Sequence, residues 1–228
     1  MPEAFPEALI VAHGAPADPD PQEAALAALA AAVAAAAPGW QVRGATLAAP
    51  GALEAALAGL RAPVVFPFFM AEGWFTGRAL PRRLAAVGAG GLRQLTLARG
   101  GALCRDAARA GAAAVGIDPG GATLVLAAHG SAVSRTSTLT AEATAAALRE
   151  TAGFARVVTG YIEEPPFLAE AAAGAGPGVC LPFFALAAGH VTGDVPAALA
   201  AAGFAGPVLP PVGALPGVPA LIARALAV

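Results

Sequence analysis

The sequence predicts an α/β protein built from two tandem, pseudo-repeated modules, each a small parallel sheet of about four strands flanked by helices, with a cleft between the modules. Three observations carry this reading. Short apolar runs of strand length alternate along the 228 residues with alanine-rich runs of helix length. Landmarks recur at a nearly fixed separation: His13 and His129 lie 116 apart, Pro67 and Pro182 115, Gly73 and Gly189 116, which marks a duplicated module of about half the chain. Each of the three histidines, His13, His129 and His190, falls just after an apolar run.

The first module is read as residues 1–118. Ala8–His13, ALIVAH, is a buried strand, followed by a Gly, Pro and Asp loop to Pro21. Gln22–Ala37 is a helix ended by Pro38 and Gly39. Gln41–Ala48 is a second strand, Gly51–Leu60 a helix, and Pro63–Phe69 a third strand. Leu80–Val87 is helical, Leu92–Ala98 a fourth strand, and Ala102–Val115 a fourth helix. Asp118-Pro-Gly-Gly121 is the joint.

The second module, residues 119–228, repeats the order. Thr123–His129 is TLVLAAH, Ser137–Thr151 is helical, Arg156–Glu163 is a strand and Phe167–Ala173 a short helix. Val179–Phe184 is a strand, Val195–Ala202 a helix, Pro207–Val212 a strand and Val218–Ala227 the last helix. The stretch Val179–Pro196, VCLPFFALAAGHVTGDVP, delivers His190 beyond the carboxyl end of its strand, with Thr192 and Asp194 as helix-start residues. Its earlier copy, Val64–Pro81, VVFPFFMAEGWFTGRALP, has Trp74 in the histidine's place and Arg78 in that of Asp194. The copy keeps the frame and lacks the ligand.

Composition removes whole classes of function. All 13 basic residues are arginine, so neither a GxxxxGK[ST] phosphate loop nor a lysine Schiff base is available. A net charge of −2 without a basic run argues against a nucleic-acid partner. The hydrophobic fraction of 57% is largely alanine, and the longest apolar tract, Ala24–Ala37, has 14 residues, too few to span a bilayer. The acidic start MPEAFPEA lacks a basic secretion-type segment, so a cytoplasmic protein is expected. Cys104 and Cys180 show no metal-ligand spacing and read as buried thiols.

In parallel sheets ligands bind outside the carboxyl ends of the strands. His129, Glu163 and His190 fall at or just past three such ends in the second module. Two imidazoles and a carboxylate suit Fe, Co, Ni or Zn, and three protein ligands leave positions open on the ion. The first module offers His13, but Ala48 stands opposite Glu163 and Trp74 opposite His190.

These segments resemble the class II chelatases of sirohydrochlorin in their long two-module form. The resemblance rests on His129-Gly130-Ser131, on Tyr161-Ile162-Glu163 leading to Pro165, and on Pro182-Phe-Phe184 followed by Gly189-His190 and Asp194-Val195-Pro196. It covers nearly the whole chain, once per module, and is most specific in the last segment. It implies insertion of a divalent metal into a tetrapyrrole without ATP, with His129 and His190 as ligands and bases, and Glu163 as third ligand or proton acceptor. Glu164 is the neighbour that competes for that role, because the spacing from glutamate to proline departs from the family pattern.

The resemblance also makes sirohydrochlorin and the metal ion the partners, with no permanently bound cofactor and no membrane. Fe²⁺ is favoured, for sirohaem, because the chain has no histidine-rich tail to load cobalt or nickel; cobalt, for cobalamin, is the alternative. A polycarboxylate substrate calls for arginines. Arg78, Arg82 and Arg83, with Trp74 and Phe75 against the ring, are expected to make the degenerate first module a substrate wall, with Arg135 opposite and Ser131 in the same site. Asp194 is open between a helix N-cap and a partner of the histidine, and His13 between a remnant, a loop-fixing residue and a second metal or substrate contact. Two rivals stand beside this reading. One is a carrier of metal or tetrapyrrole, and the other is a different metal-dependent lyase or hydrolase, for which the sequence offers no GxSxG or HExxH. Because the duplication mimics a dimer in one chain, a monomer is expected.

Overall fold

Strand runs that are apolar at every position need cover on both faces, which parallel sheets flanked by helices supply. In the computed structural model, which describes residues 5–95 and 101–227, that is how they are used. In the first half β1 (Glu7–Ala12), β2 (Gln41–Thr46) and β3 (Val64–Pro67) form a parallel sheet in the order β2-β1-β3. Helices α1 (Asp20–Ala36) and α2 (Ala52–Leu57) make the crossovers, and α3 (Leu80–Ala86) follows β3. In the second half, after α4 (Gly101–Ala114), β4 (Thr123–Ala128), β5 (Arg156–Tyr161) and β6 (Gly178–Phe183) repeat the arrangement as β5-β4-β6. There α5 (Thr136–Thr151), α6 (Leu168–Ala172) and α7 (Val195–Ala201) take the helical places, and α8 (Val218–Leu226) ends the chain.

The α/β class and the duplication are as the sequence predicts, with one reduction. Among the described residues the fourth strand of each sheet is a single parallel bridge, Gln94 to Val65 and Val208 to Cys180. Pro210 and Pro211 explain the second case, since they lack the N–H groups a ladder needs, and the chain turns into a 3₁₀ turn at Val212–Ala214. Residues 96–98 of the expected Leu92–Ala98 strand lie outside the described residues. The helix expected over Gly51–Leu60 is trimmed because Gly51 and Gly59 take positive φ, +75° and +78°, where no helix continues.

By packing, the chain falls into two compact units, one made of the described residues of Met1–Ala98 with Pro216–Val228, the other of Arg99–Leu215. The repeat boundary and the packing boundary therefore differ. Helix α4, which precedes the joint, packs on β6 and α5, while α8 packs on α1. Each unit has its own core. In the first, Leu9, Val11, Leu53, Val65, Leu80 and Leu84 meet; in the second, Val125, Ala127, Leu168, Cys180, Val195 and Leu199 occupy the same places. Cys104 and Cys180 are buried free thiols. Among the described residues no helix is long and apolar enough to cross a membrane.

Candidate metal centre

The central strand β4 is buried along its whole length, and the chain emerges at its carboxyl end with His129 exposed. On one side lies β5, reached by a crossover, and on the other β6, so this end is the point where connections leave in opposite directions and a crevice opens. The Glu163 N–H donates to the His129 carbonyl at 2.9 Å, which carries Glu163 past the end of β5 to the histidine. Beyond β6 the backbone winds into a π-helical turn, His190–Asp194, and this turn brings His190 to His129 with ring centroids 4.6 Å apart and planes at 89°. One ligand atom from each of His129, Glu163 and His190 lies within 4.8 Å of the others, a spacing that one cation can bridge.

The hydrogen bonds on the far sides of the rings decide which nitrogens remain for a ligand. His129 Nδ1 lies 2.9 Å from the Gly130 carbonyl, which can only accept, so this nitrogen carries the proton. His190 Nδ1 lies 2.7 Å from Asp194 Oδ2, four residues on. Both Nε2 lone pairs are thereby left for a metal, and the carboxylate behind His190 holds its ring in orientation. Asp194 makes no side-chain cap bond to the following helix, so the alternative left open by the sequence resolves towards the histidine. The Phe184 ring completes the site, with its centroid 6.5 Å from that of His129 and 6.3 Å from that of His190.

The two neighbouring glutamates do different work. Glu164 Oε1 accepts from the Ser131 N–H at 2.9 Å and from the Thr138 hydroxyl, tying the loop after β4 and the start of α5 to the end of β5. Gly130 sits in that tie at φ +73°, where a Cβ would meet Glu164 Cγ at 2.8 Å. Glu164 is thus occupied in the loop, and Glu163 is the acid beside the histidines. Ser131 Oγ accepts from the N–H groups of Val133 and Ser134, fixing the turn, and Arg135 is exposed at the start of α5.

The first unit holds the same backbone frame with other side chains. The Ala48 N–H donates to the His13 carbonyl at 2.9 Å, matching Glu163 and His129. A second π-helical turn, Phe75–Ala79, matches His190–Asp194, and Phe75 lies over His13 with ring centroids 4.3 Å apart. The residue in the place of His190 is therefore Phe75 and not Trp74. The Gly-x-x-Thr-Gly likeness that suggested Trp74 is shifted by one residue against the backbone, whose frame is set by the turn bond from the Gly77 N–H to the Gly73 carbonyl, the counterpart of Thr192 to Ala188. By the same frame Ala79, rather than Arg78, matches Asp194. His13 is held below the usual imidazole range by burial. Trp74, Arg78, Arg82 and Arg83 are all exposed in this unit, and Arg83 Nη2 donates to the Leu47 carbonyl at 3.3 Å.

Comparisons with known proteins bear on the family and the fold. The CbiX family model matches residues 123–227. The structure of CbiX, the terminal enzyme for biosynthesis of sirohaem in denitrifying bacteria, is 47% identical, with 97% of this chain and 98% of that one covered and a TM-score of 0.89. SirB from Bacillus subtilis with Fe³⁺ is 15% identical over 97% of this chain and 94% of that one, with a TM-score of 0.77. The sirohydrochlorin chelatase SirB from Bacillus subtilis subspecies spizizenii, in complex with cobalt, is 14% identical over 97% and 93%, with a TM-score of 0.72. At these lower identities the two SirB structures speak for the fold alone. No curated protein sequence matches the chain.

Proposed function

Because the chain belongs to the CbiX family of class II sirohydrochlorin chelatases, we propose that it inserts a divalent metal, Fe²⁺ in the first place, into sirohydrochlorin to give sirohaem. The observation that carries this is the convergence of His129, Glu163 and His190 within 4.8 Å at the switch point of the second sheet. The preference for iron is supported by the relative that ends sirohaem synthesis; cobalt is the ion to test beside it.

The chemistry follows from the donors. Entry of M²⁺ into the free macrocycle forms metal–nitrogen bonds and expels two pyrrole protons, so the site must give up an ion and collect protons. Two neutral imidazoles and a carboxylate hold M²⁺ through Nε2 and an oxygen while leaving positions open towards the ring. As the pyrrole nitrogens replace them, these same atoms regain free lone pairs, and imidazole accepts a proton near neutral pH. Asp194 and the Gly130 carbonyl keep both rings aimed throughout. No step calls for nucleotide hydrolysis.

On this reading the second repeat, residues 119–228, supplies metal and base, and the first, 1–118, serves the macrocycle, with Arg135 on a peripheral carboxylate. The protein works as a cytoplasmic monomer whose partners are sirohydrochlorin and the ion, with no resident cofactor, nucleic acid or membrane. Anaerobic incubation with sirohydrochlorin and Fe²⁺ or Co²⁺ should give the absorbance change of the metallated ring. The His129→Ala/His190→Ala variant should fall to the uncatalysed rate; insertion at the wild-type rate by that variant would remove the assignment.

A further inference from the structure

The carboxyl end of the first sheet carries a feature that the metal-holding unit lacks. Where that unit has His129 and His190, this one has His13 under Phe75, with Phe69 stacked on Phe75 at 6.0 Å and Trp74 edge-on to it at 5.1 Å. The cluster is open to solvent: Trp74 is 60% exposed and Phe75 37%. Trp74, Arg78 and Arg82 follow one another at four-residue steps along the turn Phe75–Ala79 and α3, so they share one side of that helical segment. All three are exposed, and among the described residues neither arginine is in an ion pair. In the second unit the places of Arg78 and Arg82 hold Gly193 and Ala197, on the frame that matches Phe75 with His190.

An exposed run of aromatic rings beside unpaired guanidinium groups fits one class of ligand, a flat aromatic ring system edged with carboxylates. The rings supply stacking area, and the forked guanidinium donors match carboxylates two bonds at a time. We infer that the first unit is the tetrapyrrole-binding element, with the exposed Trp74 ring as its stacking face, Phe75 bracing that ring edge-on and Arg78 and Arg82 on peripheral carboxylates, and that it binds the macrocycle without metal. The inference rests on the chelatase reading for the identity of the ligand. It explains why a unit with Ala48 and Phe75 in the places of Glu163 and His190 keeps the π-helical turn: the turn that aims His190 in one unit presents an aromatic and cationic face in the other.

The test is equilibrium binding of metal-free sirohydrochlorin to the full-length protein, followed by quenching of the macrocycle's fluorescence. Arg78→Ala/Arg82→Ala should raise Kd about tenfold or more, as expected for losing charge-assisted hydrogen bonds. It should do so more for a porphyrin with eight carboxylates than for one with two. Trp74→Ala should raise Kd about threefold or more for both probes. Binding of Co²⁺ alone should be unchanged in these variants, and His129→Ala/His190→Ala should bind the macrocycle as the wild type does while losing insertion. Unchanged Kd in both first-unit variants, or loss of macrocycle binding in the histidine variant alone, would overturn the inference. Neither result depends on whether any metal is inserted, so a failure of the chelatase reading would show separately.

Discussion

Removing the Asp194 carboxylate separates metal affinity from folding stability. The bond from His190 Nδ1 to Asp194 Oδ2 is 2.7 Å long, yet the two side chains are 39% and 56% exposed. A pair this open contributes about 0–1 kcal/mol to folding, so Asp194→Ala should leave the urea midpoint nearly where it was. The effect on the metal is of another order. Without its acceptor the His190 ring is free to rotate and to place its proton on Nε2, and loss of such an outer partner costs about 10–100-fold in metal affinity, or roughly 1.4–2.7 kcal/mol. Titration of metal-free protein with Co²⁺, read by its visible absorption, should show that weakening for Asp194→Ala. Asp194→Asn, whose amide oxygen still accepts from Nδ1, should lie between the variant and the wild type. Wild-type Co²⁺ affinity in Asp194→Ala would show that His190 is not oriented by this carboxylate, and the mechanism would lose its account of the tautomer.

Three further outcomes are expected. Glu163→Ala should weaken Co²⁺ binding while shifting stability by less than about 0.5 kcal/mol, whereas Glu164→Ala, which orphans the Ser131 N–H and the Thr138 hydroxyl, should cost about 1–3 kcal/mol in urea unfolding; the reverse pattern would exchange their roles. Gly178→Ala should destabilise by at least about 1–3 kcal/mol, because its Cβ would come within 2.1 Å of the Thr123 carbonyl in the β4–β6 ladder. Gly121→Ala, which meets nothing within 4 Å, is the control. Burial pushes the Cys180 thiol up to about 12 and the Cys104 thiol up to about 11, and Tyr161 is raised as well. Their unfolded counterparts lose protons first, the thiols near about 8.5, so above that pH the unfolded chain holds fewer protons and stability falls as pH rises. Urea midpoints from pH 8 to 11 should show that decline, and Cys104→Ala/Cys180→Ala should flatten it.

The strands β1, β4 and β6 were legible because each is a largely apolar run bounded by turn residues, and such runs have few places to go except a covered parallel sheet. The repeat was legible because two copies of one packing problem keep their core residues at a nearly constant separation, as Leu9 and Val125 or Leu84 and Leu199 do. From these follow the strand ends, and with them the candidates His129, Glu163 and His190. Local pattern does not reach further. Trp74 and Phe75 are adjacent in sequence, and only the bonding of the π-helical turn selects Phe75 to face His13. Glu163 and Glu164 are chemically the same, and only Ser131, from the loop after β4, and Thr138, at the start of α5, claim one of them. Helices α4 and α8 are read with the repeat that contains them, yet each packs within the other unit, because burial of an apolar face depends on where a neighbour offers a partner and not on chain order. The sequence by itself determined the alternation, the duplication and the set of metal-capable side chains. Tertiary structure decided which of them meet and which nitrogen each imidazole presents, because contacts between distant segments depend on crossovers and hydrogen bonds that no local pattern encodes.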